Sequence, residues 1–237
     1  MSTPATWPTT GAVPAAAAPD LWARLRAQDM GVVAVMGTGK NTGKTVTLNH
    51  LLARAASAGV TVGLSSIGRD GEDRDAVFSI PKPPVIVWPG SLVATARDTL
   101  LRAQARTRLL GGTGITGPLG EILLLQVQSR GTLEVAGASR GADQRLVIEH
   151  LRQCGADTVL LDGALGRSLH ASPALADGVV LATGAALGGG LADVLRKTAE
   201  RLALLSTPAA DPGTQARCAP LFAQGGVGLW QRDGRPV

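Results

Sequence analysis

Apolar residues along this chain come in two rhythms. The first is a short unbroken run: "GVVAVM" at Gly31–Met36, "VTVGLSSI" at Val60–Ile67, "PPVIVW" at Pro83–Trp88, "TVLL" at Thr158–Leu161 and "DGVVLATG" at Asp177–Gly184. Runs of this length, rich in valine, suit strands buried on both faces of a parallel sheet. The second rhythm returns every three or four positions, as helices require. Leu21, Trp22 and Leu25 predict a helix over Asp20–Gln28 with Asp20 as N-cap, and Val46, Leu48, Leu51 and Leu52 predict one over Thr45–Ser57, closed by Gly59. Leu146, Val147, Ile148 and Leu151 predict a helix over Asp143–Cys154, and further helices are expected over Leu92–Leu109 and Leu191–Leu205. Glu121–Ala138 reads as strand, turn near Arg130–Gly131, and strand. Gly111–Gly120 is too glycine-rich for regular structure and is expected to be a loop.

Strands that alternate with helices predict an α/β fold, a mostly parallel sheet flanked by helices. That domain is expected over residues 20–206, after a flexible Pro-, Ala- and Thr-rich arm at 1–19. Beyond Pro208 the pattern fades until "VGLWQRDGRPV", which reads as a strand and turn. Residues 207–237 are therefore expected to be a tail, with a strand segment cut short at its end.

The first run opens into "GTGKNTGKT", and a helical pattern leaves it. Two lysines, Lys40 and Lys44, stand there among residues that hardly shield them, so an anion is the expected neighbour. The phosphate-binding pattern G-x-x-x-x-G-K-[ST] fits at Gly43, Lys44 and Thr45; its first glycine position holds Thr38, flanked by Gly37 and Gly39. Backbone N–H groups across Gly37, Thr38, Gly39, Lys40, Asn41, Thr42 and Gly43 are expected to meet phosphate oxygens, helped by the positive end of the helix that follows. Lys44 is expected to reach the β- and γ-phosphates and the Thr45 hydroxyl to bind Mg²⁺.

Turnover also needs an acid that holds Mg²⁺ or positions water. Asp162, ending the apolar run "TVLLD", stands where parallel-sheet sites lie. Asp70, in "SSIGRDGED", is the second candidate, with Glu72, Asp73 and Asp75 as alternatives in the same loop. Lys44, Asp70 and Asp162 form the expected catalytic set, and Thr45, Asp162 and Asp70 the metal set. Arg69 and Arg167 share these loops and are candidates for neutralising phosphate charge, with a plain surface role as their commoner alternative; His170 is a lone loop histidine, weighed as a catalytic base. No N-K-x-D guanine-reading motif follows the later strands, which tilts the expected nucleotide toward ATP.

Composition narrows the picture. The chain has 237 residues, 45% hydrophobic, with a formal charge of +5. The arginines are scattered and only two Phe, four Trp and no Tyr are present, so a base-stacking platform is not expected, and nucleic acid is not an expected partner. No run approaches the roughly 20 apolar residues of a membrane helix, and the N-terminus lacks the basic start and apolar centre of a signal peptide. Cys154 and Cys218 stand in no metal or redox spacing. A cytoplasmic protein without a membrane partner is the expectation.

Several segments together, "GTGKNTGKTVTLNHL", "SSIGRDGE", "PKPPVIVWPGSLVATA" and "LLDGALGRSLHASPALADGVVLATGA", resemble the small (KamB-type) P-loop subunit of the reactivase that serves lysine 5,6-aminomutase and ornithine aminomutase. The likeness spans about residues 30–205. It implies a P-loop NTPase fold of the dethiobiotin synthetase/MinD-like branch, in which an acid placed like Asp70 prepares water or binds metal. It also implies a larger ATPase partner, and ATP used to renew the cobalamin cofactor of an aminomutase. One branch of P-loop ATPases dimerises by sending a loop lysine to the partner's nucleotide; the matching position here is Gly39, with Lys40 one position off, so a homodimer of that kind is left open. Two other functions stay open as well: an ATP-dependent ligase that activates a small carboxylate, and a nucleotide-binding module that does not turn over.

Overall fold

The structure is a computed structural model and describes residues 20–66, 84–163, 175–224, 228–231, 233 and 235. Among these residues the elements run α1 (Leu21–Ala27), β1 (Val32–Gly37), α2 (Lys44–Ser57), β2 (Val62–Ser66), β3 (Ile86–Val87), β4 (Leu92–Ala96), β5 (Thr107–Gly117), β6 (Gly120–Val127), β7 (Gly131–Thr132), α3 (Gly141–Gln153), β8 (Thr158–Asp162), β9 (Gly178–Ala182), α4 (Gly190–Leu205) and α5 (Pro212–Gln224). The chain divides into two compact units, Met1–Leu195 and Arg196–Val237.

In the first unit the described strands form a seven-stranded sheet in the order β5-β6-β4-β2-β8-β1-β9, and β3 and β7 pair in a small one of their own. β4, β2, β8, β1 and β9 are mutually parallel, while β6 and β5 add antiparallel at one side. The fold is thus α/β with a mostly parallel sheet, as the alternating pattern predicts. β1 and β8 are buried along their whole length, which explains their unbroken apolar runs.

Side chains alternate across each strand and so divide between two cores. Val33, Val35, Val62, Leu64 and Leu160 face α2, where Leu48, Leu51 and Leu52 meet them, with Trp22 and Leu25 of α1 behind. Val32, Ala34, Leu92, Ala94, Val159 and Leu161 face α3, where Val147, Ile148 and Leu151 meet them. Each such leucine contributes about 1.5–3 kcal/mol on burial. The expected helical stripes are corrected at one position each: Val46 is 61% exposed and Leu146 is 46% exposed, both standing on the solvent side.

The clearest departures fall between residues 92 and 120. Leu92–Leu109 is not a helix. Leu92–Ala96 is β4, fully buried beside β2, and a 3-10 turn at Arg97–Arg102 follows. Burial between two strands overrides the helical propensity of Leu, Ala and Arg. Gly111–Gly120 is not an irregular loop either: most of it belongs to β5, paired to β6 through two register shifts, with Gly114 at φ +72. Bulges of this kind absorb glycines that a regular strand would not hold. The strand expected at Pro83–Trp88 shrinks to β3, and the one after Gly131 to β7.

Asp20 occupies the N-cap position of α1, but its side chain caps nothing. It accepts from Arg54 Nε at 2.7 Å and meets His50 Nε2 at 3.2 Å, tying α1 to α2. The Arg54 hydrogen bond holds the Asp20 carboxyl below its ordinary value. In the second unit, α5 occupies a stretch whose pattern suggested a tail. Asp211 caps it, accepting from the Thr214 N–H at 2.9 Å, with Pro212 at the first helical position.

The connection from β7 into α3 crosses the end of β2 at Gly137. A Cβ there would overlap the Ser66 carbonyl oxygen and lie 2.7 Å from Ser65 Oγ. Gly137→Ala is expected to cost about 1–3 kcal/mol, read as a lower urea midpoint. For Asp20, the folded pKa lies below the unfolded one, so its stabilising contribution is full above the ordinary carboxyl value and fades as pH falls through the lowered one. The indole resonance of Trp22, buried on α1, should therefore keep its folded shift at mildly acidic pH in the wild type and lose it at a higher pH in Asp20→Asn.

Candidate functional site

β1 ends in the middle of the parallel strands, so the loop after it opens at the carboxyl edge of the sheet, where parallel α/β folds place their ligands. The loop is held at both ends. Thr38 donates its N–H to the Ala182 carbonyl at 2.9 Å, which extends the β1–β9 ladder by one bond. Its hydroxyl meets the Ala182 carbonyl at 3.3 Å and the Thr183 hydroxyl at 3.1 Å. Thr38 therefore stands as an extension of the strand. Its φ is not in the left-handed region, so the position that the motif gives to glycine carries no backbone strain here.

The turn itself is made by other residues. Asn41 at φ +58 and Gly43 at φ +92 take the left-handed conformations, which Asn and Gly tolerate best. The Thr42 hydroxyl donates to the Gly39 carbonyl at 2.8 Å and closes the loop on itself. Gly37 lies under that closure: a Cβ there would sit 2.8 Å from Thr42 Oγ1 and 3.2 Å from the Gly39 carbonyl. Gly37 is the glycine that close approach demands.

Gly43 is the N-cap of α2 and offers no side chain to the helix start. The first-turn N–H groups keep their donor capacity, and no acidic residue stands in the first turn to offset the dipole. Thr45 is buried there, while Lys40 and Asn41 are exposed on the loop.

Lys44, the first residue of α2, reaches Asp162, the last residue of β8, and forms an ion pair with it. Strand alternation explains the meeting. Leu160 faces α2, so Asp162, two residues on, faces the same way, directly opposite Val35 of β1 in register. Asp162 is 6% exposed. Its backbone is fixed on two sides: the Ser66 hydroxyl donates to its carbonyl at 3.1 Å, and the Gly163 N–H donates to the Val35 carbonyl at 3.0 Å. β2 lies on the other side of β8 with Ser66 opposite Asp162, so the carboxyl end of β2 opens at the same edge.

Of the sequence-derived candidates, the structure brings together Gly37, Thr38, Gly39, Lys40, Asn41, Thr42, Gly43, Lys44, Thr45 and Asp162. Asp70, Glu72, Asp73, Asp75, Arg69, Arg167 and His170 lie outside the described residues. The segment after β9 was not singled out by its sequence, yet it backs the loop. Thr183 touches Thr38, and Leu187 lies 3.2 Å from where a Cβ on Gly39 would be. Its signal was its place after a parallel strand, since every such strand ends at this edge.

The donor set suits a phosphate with a small hard cation: backbone N–H groups and an ammonium for the anion, a hydroxyl and a buried carboxylate for the cation. Mg²⁺ takes one or two protein oxygens and fills its shell with water and phosphate. Among the described residues no three His, Cys, Asp or Glu side chains gather into a metal cluster. Also among the described residues, no helix is long and apolar enough to cross a membrane. No family model, curated protein or solved structure matches the chain.

An added Cβ at Gly43 meets nothing within 4 Å, so substitution there acts through backbone strain alone. Gly43→Ala is expected to lower stability by about 1–2 kcal/mol and Gly43→Asn by less, compared by urea denaturation.

Proposed function

We propose that this chain is a Mg²⁺-dependent P-loop ATPase. The observation that carries the reading is the ion pair between Lys44 and Asp162, set at the mouth of a glycine loop whose helix start keeps its donors. The N–H groups of the loop bind phosphate oxygens. Lys44 holds the terminal phosphates and stabilises charge as it moves toward the leaving oxygen. Thr45 and Asp162 are the residues that hold Mg²⁺, which when bound neutralises phosphate charge. Asp162 also orients Lys44. Asp70 is proposed as the acid that positions water.

For the physiological role, we propose that hydrolysis remodels a partner, in the manner of a reactivase acting with a larger ATPase subunit on a cobalamin-dependent aminomutase. Sequence resemblance supports this, through "SSIGRDGE" and "LLDGALGRSLHASP" above all. The same resemblance supports placing the fold in the dethiobiotin synthetase/MinD-like branch. ATP is preferred over GTP in this reading because no guanine-reading motif follows the later strands.

The first experiment is phosphate release from Mg·ATP and Mg·GTP by wild type and Lys44→Ala. Release from ATP that disappears in Lys44→Ala is expected; unchanged ATP affinity in that variant overturns the assignment. Release that begins only when a small carboxylic acid is added would turn the reading to a ligase. Asp162→Asn is expected to fold, to keep nucleotide binding, and to lose its dependence on Mg²⁺ by roughly tenfold or more in affinity, measured by nucleotide titration with and without the metal.

A further inference from the structure

Lys44 and Asp162 each stand where a lone charge is costly, and each is the other's remedy. Lys44 is the first residue of α2, at the positive end of the helix dipole, and no acidic residue shares that first turn. Asp162 ends β8 almost wholly out of contact with water. The lysine side chain keeps 19% of its surface exposed and the aspartate side chain 8%, so the pair lies nearer the buried case than the solvent-exposed one. Taking one partner from such a pair strands a charge with little water to answer it, which costs far more than parting two surface charges. The aspartate cannot leave with a ligand, because its backbone is tied to β2 by the Ser66 hydroxyl and to β1 through the Gly163 N–H.

The same two groups are the ones asked to hold a ligand, the ammonium for an anion and the carboxylate for a metal ion. A phosphate that arrives without a cation takes Lys44 from Asp162, and an enclosed carboxylate is left beside a second anion. A cation that arrives alone takes Asp162 from Lys44 and leaves the ammonium beside a like charge. When anion and cation arrive together, each protein group exchanges one counter-charge for another and neither is stranded. Thr45, the other residue proposed for the metal, is buried and neutral, so it does not alter this balance. The choice between the two forms of ligand therefore falls to Asp162.

We propose that Asp162 is a specificity-determining residue: its hold on Lys44 makes the loop discriminate against metal-free polyphosphate and admit phosphate and metal as a pair. The proposal rests on the P-loop reading above and adds to it a selection between two forms of the same nucleotide. It also divides the loss of metal dependence expected of Asp162→Asn into two parts. One is weaker binding with Mg²⁺, from the missing metal oxygen. The other is tighter binding without Mg²⁺, from a lysine no longer held, and this second part is the one that the proposal requires.

The test is equilibrium titration of the full chain with ATP, once in EDTA and once with excess Mg²⁺, at equal ionic strength, for wild type, Asp162→Asn and Lys44→Ala. In EDTA, Asp162→Asn is expected to bind ATP about tenfold more tightly than wild type. With Mg²⁺ it is expected to bind no more tightly than wild type. The gain in EDTA, taken as the ratio of the two affinities, should persist when salt is raised from about 0.1 M to about 1 M, because an enclosed contact is screened little while a field acting through solvent fades. Equal or weaker binding of metal-free ATP by Asp162→Asn overturns the proposal, and so does a gain that disappears at high salt. In both cases Mg·ATP binding that is still lost in Lys44→Ala leaves the P-loop reading standing. Mg·ATP affinity untouched by Lys44→Ala overturns that reading, and the proposal with it. If Asp162→Asn does not fold, the pair is opened from the other side with Lys44→Gln and Mn²⁺ alone as the probe, followed by its electron paramagnetic resonance signal. Tighter Mn²⁺ binding than in wild type is then expected, and unchanged or weaker binding overturns the proposal.

Discussion

Lys44 and Asp162 meet because β8 is inserted between β1 and β2. The two residues are far apart in sequence, and neither strand alone would bring them together. Insertion places the end of β8 directly beside the strand that feeds the glycine loop. The alternation of β8 then decides the face: Leu160 toward α2 carries Asp162 toward α2 as well. A slip of one residue in the β1–β8 register would turn the carboxylate to the α3 face and leave the Lys44 ammonium without its counter-charge. Register there is pinned by the apolar residues on both faces of β8, so the core and the site are specified by the same pairing.

The loop is organised in the same economical way. The strain of its turn is carried by Asn41 and Gly43, the two residues best able to take it. Thr38 is released from that duty and serves as an anchor to β9. The departure from the glycine pattern at Thr38 is thus a transfer of function from flexibility to attachment. β9 carries the segment Thr183–Leu187 against the other side of the loop, where the Thr183 hydroxyl and the Leu187 side chain meet it.

Where one physical signal acted alone, the sequence could be read. α2, α3, β1 and β8 have strong periodicity or unbroken burial, and their bounds follow within two residues. The acid at a strand end and the glycine loop were legible for the same reason. Leu92–Leu109 failed because local propensity favoured a helix while the buried slot beside β2 required a strand, and tertiary burial won. β5 failed because its glycines look like punctuation, whereas bulges against β6 accommodate them. α5 was legible and overlooked: Asp211 followed by Pro212 is a helix-start signal.

Asp162 and Lys44 differ in how they are mounted. The carboxylate stands on a backbone held by Ser66 and by the Gly163–Val35 bond, with two side-chain torsions of its own. The ammonium stands at the end of four torsions on the first turn of a helix. Any exchange of partners at this pair is therefore carried by the lysine arm while the acid stays in place. Such an exchange is a rotamer change, on a picosecond-to-nanosecond scale, and not a backbone rearrangement on a microsecond one.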